Sequence, residues 1–243
     1  MMMARTVDLE AHAERRRSFL EAAARLLERK GFERMTVQDV LDDVGQSKGA
    51  FYHYFESKQD LVEALIQTMG GELCDELERR LEGLELSAPE KLMTFVSQSS
   101  SLKLERKRLW AALLPIWVQP GNAAIRDRMT SQTQARMAPV LAQIVRDGVA
   151  EGSFTNEYPD QAARMVFALA QDLNALTMRL LSTPGQTVSR TELEQACDGY
   201  NDAVERLLGA PSGSIRLVEP KQLTVWLEAR NEASEAAPVA AGV

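Results

Sequence analysis

Apolar positions recur along this chain at the three-to-four-residue period of an α-helix, and no stretch alternates like a strand with a hairpin turn beside it. The first stripe is Phe19, Ala22, Ala23, Leu26 and Leu27, which predicts a helix from about Ala11 to Lys30 that stops at Gly31. Thr36, with Asp39 three residues on, has the spacing of a capping box. It opens a short helix that buries Val37, Val40 and Leu41 and ends near Val44 and Gly45. Ser47 caps the next helix, Lys48 to about Tyr54. Ser57, with Asp60 at its third position, caps a longer one that turns Leu61, Leu65 and Met69 inward.

Beyond residue 70 the predicted helices lengthen. Ser87-Ala88-Pro89-Glu90 opens one with proline in its first turn, and the pattern runs on as one stretch through Leu104 to Trp117, punctuated by Pro115 and closed by Pro120-Gly121. Another spans about Asn122 to Glu151 with Pro139 inside it, and Gly152-Ser153-Phe154 ends it. Pro159 opens a helix to about Leu181 that Thr183-Pro184-Gly185 stops, and Ser189 with Glu192 caps the last long one, which ends at Leu208. Residues 209–219 read as a Gly/Pro/Ser linker, Lys221 to Arg230 as a small amphipathic helix, and the last dozen residues as a disordered tail. The whole is all-α.

The run from Thr36 to Phe55 is a short helix, a tight turn at Gly45, and a second short helix carrying polar groups, which is the helix-turn-helix pattern. Gly45 suits the left-handed turn because it has no Cβ to clash. Val40, Val44, Phe51 and Phe55 hold the two helices at their crossing, leaving Gln46, Ser47, Lys48, Gly49, Tyr52 and His53 for the groove side. Glycine inside a helix costs about 1 kcal/mol against alanine, and a helix start laid closely against DNA accounts for Gly49.

From Gly31 to Leu65 the chain resembles the DNA-binding domain of the TetR family of transcriptional regulators. The pieces are Gly31-Phe32 at the end of the first helix, the Thr36-Val37 start, Gly45-x-Ser47-Lys48-Gly49, the Phe51-Tyr52-His53-Tyr54-Phe55 core, and Ser57-Lys58-x-x-Leu61. The resemblance implies that Lys48 and Gly49 approach base edges in the major groove. It implies that Thr36, Gln46, Ser47, Tyr52, His53 and Lys58 mainly bind phosphates and fix register, with the helix N-termini at Thr36 and Ser57 adding N–H groups. The triplet Arg15-Arg16-Arg17 reads as a solvated charge run, with the DNA backbone or the adjacent minor groove as the alternative partner. The expected organisation is an N-terminal three-helix helix-turn-helix domain over residues 1–57, a larger C-terminal helical ligand-binding and dimerisation domain over 58–209, and a linker and tail over 210–243.

The stretch Pro159 to Leu181 is apolar on more than one face: Ala162, Met165, Leu169, Leu173, Leu176 and Leu180 on one, Phe167, Ala170, Met178 and Leu181 on another. A helix apolar all round is buried on both sides. With Leu193, Ala196, Ala203, Val204, Leu207 and Leu208 of the last helix, it is expected to form a homodimer seam across a twofold. The effector is expected to be a small apolar or amphipathic molecule held near Met93, Trp110, Trp117 and Asp172, where Phe95, Leu113, Leu114, Ile116 and Met129 add apolar surface and Pro115 opens space. Asp172 and Asn174 are polar interruptions whose partner is a polar or cationic ligand head group, a twofold mate or a neighbouring helix.

Composition narrows the remaining classes. The chain has 45% apolar and 26% charged residues, enough to bury a core, and no apolar run long enough for a membrane span. Met1 to Glu10 lacks the apolar centre of a secretory signal, so a cytoplasmic location is expected. Net charge is −7, with ten Lys and Arg against eleven Asp and Glu in residues 1–60. DNA affinity therefore has to come from a few placed cations rather than a broad positive field. Cys74 and Cys197 read as free thiols, and His12 and His53 have no metal-ligand spacing, so neither metal nor cofactor is expected. No nucleophile elbow, phosphate loop or paired-carboxylate motif points to an enzyme.

Overall fold

The structure, a computed structural model, describes residues 2–182 and 190–217. Among them there are helices and no strands: α1 (Met2–Arg34), α2 (Val37–Val44), α3 (Lys48–Tyr54), α4 (Lys58–Leu81), α5 (Ala88–Glu105), α6 (Lys107–Trp117), a 3-10 turn (Pro120–Asn122), α7 (Ala123–Glu151), α8 (Pro159–Ser182) and α9 (Arg190–Leu208). The stop at Thr183-Pro184-Gly185, the Ser189 cap, the Lys221–Arg230 helix and the tail lie outside the described residues. No helix of the described part is long and apolar enough to cross a membrane. The chain divides into two compact units, Met1–Gly70 and Gly71–Val243, with the boundary inside α4.

In the first unit, α1 breaks at Gly31, whose φ of 73° lies in the left-handed region. The aromatic rings of Phe19, Phe51 and Phe55 form its centre. Phe19 meets Phe51 edge-on at 5.7 Å and Phe55 edge-on at 6.1 Å between ring centroids. All three are fully or nearly fully buried, so α1 and the end of α3 share one core.

The second unit buries Leu92 and Phe95 of α5, Leu141 and Val145 of α7, Val166 and Phe167 of α8, and Cys197, Val204 and Leu208 of α9 in one cluster. Two sequence expectations change here. The stretch from Ala88 to Trp117 is two helices, not one. Arg106 leaves helical geometry at φ −114° and ψ 31°, closes α5 by donating to Lys103 O at 3.2 Å, and its own carbonyl accepts from Trp110 N to start α6. Neither glycine nor proline marks that break. Residues 210–217, expected as linker, are packed: Ile215 and Leu217 belong to the core. The buried Glu205 carboxylate holds them, accepting from Gly213 N at 2.9 Å and Ile215 N at 2.8 Å.

The loop after α7 is stitched to the end of α9. Thr155 N donates to Leu208 O at 3.0 Å and Asn156 Nδ2 to Leu207 O at 2.7 Å, which satisfies carbonyls left open at a helix C-terminus. Phe154 lies so close over Gly148 that a Cβ there would come within 2.1 Å of its ring.

Candidate nucleic-acid interface

α2 is held at its start by a reciprocal cap. Asp39 N donates to Thr36 Oγ1 at 3.1 Å, and Thr36 N donates to Asp39 Oδ2 at 2.9 Å. Lys30 of α1 donates to the same carboxylate at 2.5 Å, so the cap also ties α2 to α1. Those hydrogen bonds pull the Asp39 carboxyl down to about 2, with Lys30 the largest contributor and Thr36 next. Gly45 closes α2 in the left-handed conformation, φ 68°, and donates to Leu41 O at 2.8 Å. Ser47 then caps α3 by accepting from Ala50 N at 3.2 Å.

The result is a short helix with one buried side and one bare side. Phe51 is buried, and Phe55 just past the end of α3 is buried with it. Gln46, Ser47, Lys48, Gly49, Tyr52 and His53 are all exposed, Tyr52 to 51%. Lys48 Nζ stands 5.9 Å from the Tyr52 ring centroid, one turn along α3. A Cβ on Gly49 would meet nothing nearer than Ser47 Oγ at 3.9 Å, so the fold itself does not require glycine there. Bare polar side chains on one face of a helix that a rigid core holds still are what groove reading needs.

Thr36 is exposed, but its hydroxyl hydrogen goes to Asp39 Oδ2 at 2.9 Å. Lys58 is half-buried and differs from the other candidates. Its ammonium donates to Phe32 O at 2.9 Å and Met35 O at 3.0 Å, which uses two of its three donors inside the protein. Of the arginine triplet, Arg16 packs over the Phe55 ring at 5.6 Å and Arg17 lies 3.7 Å from Glu21, while Arg15 is exposed. His12 is also exposed, its ring 4.5 Å from that of Tyr54 and 5.5 Å from that of His53. Sequence spacing hid this aromatic group because α1 and α3 meet only in the fold.

The effector candidates lie in the second unit on different elements. Met93 of α5 is half-buried against the core cluster, and Trp110 and Trp117 of α6 are half-buried. Asp172 of α8 is exposed and accepts a hydrogen bond from the Tyr200 hydroxyl of α9. Asn174, two residues on and so on the other side of α8, accepts from Lys103 of α5 at 3.4 Å. Lys103 was missed in the sequence. Its signal was present, since it continues the stripe of Leu92 and Val96 along α5 as a lysine among apolar positions. Both cysteines are buried and free, and burial raises both thiol pKa values, that of Cys197 to about 11. No group of three potential metal ligands occurs among the described residues.

Residues 19–65 match the family described as bacterial regulatory proteins of the tetR family. Over 183 residues, covering 75% of this chain and 86% of the relative, the chain is 23% identical to the HTH-type transcriptional repressor KstR2 of Mycolicibacterium smegmatis. It is 38% identical to the HTH-type transcriptional regulator YfiR of Bacillus subtilis over 66 residues, 27% of this chain and 32% of that protein. A transcriptional regulator from Cytophaga hutchinsonii shares the fold, with a TM-score of 0.56 at 18% identity over 86% of this chain and 95% of that one.

Proposed function

Because the chain belongs to the tetR family of bacterial regulatory proteins, and is a DNA-binding transcription regulator rather than an enzyme, we propose that it is a homodimeric repressor released from its operator by a small apolar or amphipathic ligand. The observation that carries the DNA half is the bare face of α3, set on the buried Phe51–Phe55 anchor. Lys48 reads a base edge, and the lysine ammonium suits the O6 and N7 acceptors of guanine. Gly49 allows the backbone to come close. Gln46, Ser47, Tyr52 and His53 hold phosphates, and Thr36 and Lys58 fix the start of α2 and α4 against the same backbone. The similarity to a relative whose name is that of a repressor supports the sign of the regulation.

Two copies of α3 must stand about one DNA turn apart, roughly 34–36 Å, to read two half-sites. α8 and α9 supply the seam between protomers. Met165 is 53% exposed on α8, an apolar side chain that a second subunit would cover. The exposure of Asp172 and its bond to Tyr200 support a place beside that seam rather than in a pocket. The effector lies among the helices of the second unit, near Met93, Trp110 and Trp117. It releases DNA by preferring the spacing of α3 copies that does not fit, with a coupling of about 1–3 kcal/mol. A partner of this kind, chromosomal DNA, puts the protein in the cytoplasm.

The test is a pair of binding curves. Lys48→Ala on the selected operator and on a scrambled duplex should cost about 1–3 kcal/mol and lower the ratio between them. An unchanged ratio removes Lys48 from base reading. For the release half, tryptophan fluorescence is titrated with a compound library with and without operator. Equal affinity in both conditions, or no binder at all, removes the sensor.

A further inference from the structure

Lys103 is half-buried on the inward stripe of α5, and burial pushes its ammonium below the usual lysine range. A buried cation ordinarily faces a carboxylate, because an unpaired charge out of water is expensive. Two other cations of the same unit, both partly exposed, have carboxylate partners. Arg136 reaches Asp75 at 2.7 Å and Glu78 at 2.9 Å, and Arg80 reaches Glu76 at 2.7 Å and Glu105 at 3.1 Å. Lys103 forms no ion pair among the described residues. Its hydrogen bond is to a neutral amide oxygen, Asn174 Oδ1, at 3.4 Å. The nearby Cys74 thiol, itself raised by burial, offers little negative charge.

Two polar residues thus meet between α5 and α8 with a net positive charge left over. The stem of Lys103 lies on the face of α5 that carries Val96 two turns earlier, packed against the core. Asn174 adds side-chain N–H donors at the same spot. The arrangement is a positive end beside an apolar wall, and a ligand completing it has a negative end on an apolar body.

We propose that Lys103, with Asn174 beside it, anchors the anionic head of the effector, a carboxylate carried on an apolar chain or ring. This rests on the sensor reading of the second unit and adds the sign of the ligand to it. The ligand carboxylate supplies the counter-charge that the chain withholds, so binding gives a half-buried cation that lacks an ion partner a charge-assisted hydrogen bond. An uncharged molecule of the same body gains no such pairing, and a cationic one is repelled.

The experiment titrates the full-length protein calorimetrically with decanoate, decanol and decyltrimethylammonium, in wild type, Lys103→Met and Lys103→Gln. Wild type should prefer decanoate over decanol by about 10–100-fold, the span of one hydrogen bond to a charged group. Both variants should lose that preference while decanol binds as before, which also shows that their site is intact. If both variants keep the preference for decanoate, Lys103 is not the anchor. If wild type prefers decanol or the ammonium compound, the anionic assignment falls and the sensor reading stands. If none of the three binds wild type, the anionic anchor falls, and the sensor reading is decided by the library titration.

Discussion

The ammonium of Lys58 stands 4.1 Å from the centre of the Phe32 ring and donates to the Phe32 carbonyl at 2.9 Å. With the bond to Met35 O, this one side chain ties the start of α4 to the connection between α1 and α2. Lys58→Ala should therefore lower stability by about 1–3 kcal/mol, from the loss of charged hydrogen bonds and a ring contact. Urea unfolding reads it. A midpoint unchanged from wild type, with DNA affinity lowered, would mean that phosphate binding is the whole role of Lys58.

Gly49→Ala separates stability from recognition. The added methyl has room within the protein and removes a helix-weakening glycine, so stability should stay level or rise by up to about 1 kcal/mol. Operator affinity should fall if, as proposed, the backbone at Gly49 lies close against the DNA. Thermal melting and fluorescence anisotropy on the same preparation give both values. Unimpaired operator binding would end the close-approach account of this glycine.

Asp39 predicts an acid limit for the first unit. Its folded pKa is about 2, against about 4 for a free carboxylate, so the folded state favours the ionised form. That contribution is fully present above about pH 4 and is lost as pH falls through 2. Asp39→Asn should flatten the fall in stability between pH 4 and pH 2 and lower stability at neutral pH. Identical acid-unfolding curves for variant and wild type would show that the cap is not what acid breaks.

Met165 and Val204 predict opposite failures. Met165 is 53% exposed, whereas Val204 is 2% exposed within the core of its own chain. Met165→Arg should leave folding intact and give monomers with poor operator affinity. Val204→Arg puts an unpaired charge in a packed core and should unfold the second unit, at a cost above about 4 kcal/mol. Sedimentation and circular dichroism distinguish the two. Intact dimers in Met165→Arg would move the seam elsewhere.

The parts legible in sequence are those set by neighbours a few residues apart. Thr36 with Asp39, Ser47 with Ala50 and Ser57 with Asp60 form the caps their spacing announces. The polar face of α3 was legible because Phe51 and Phe55 had to point the other way. Long-range partners were not. Nothing near Lys58 points to carbonyls before α2, and nothing in Arg15-Arg16-Arg17 picks out Arg16 for the Phe55 ring. Helical period shows that α9 has an apolar face but not whether Val204 meets its own chain or another. The break at Arg106 has no glycine or proline to announce it, and the packing of Ile215 depends on Glu205 reaching forward from α9.

That last contact has a consequence for biogenesis. The first unit has its elements in hand once the chain has grown to Gly70, but the core of the second is closed by Ile215 and Leu217, and Glu205 stays without those main-chain donors until they arrive. At about 5–20 residues per second, synthesis leaves the second unit unfinished for on the order of ten seconds after the first can form. A nascent chain halted after Leu208 would leave a buried carboxylate unmatched and apolar surface open. The ribosome-bound intermediate most exposed to chaperones and proteases is thus a chain with its reading head complete and its larger unit unsealed.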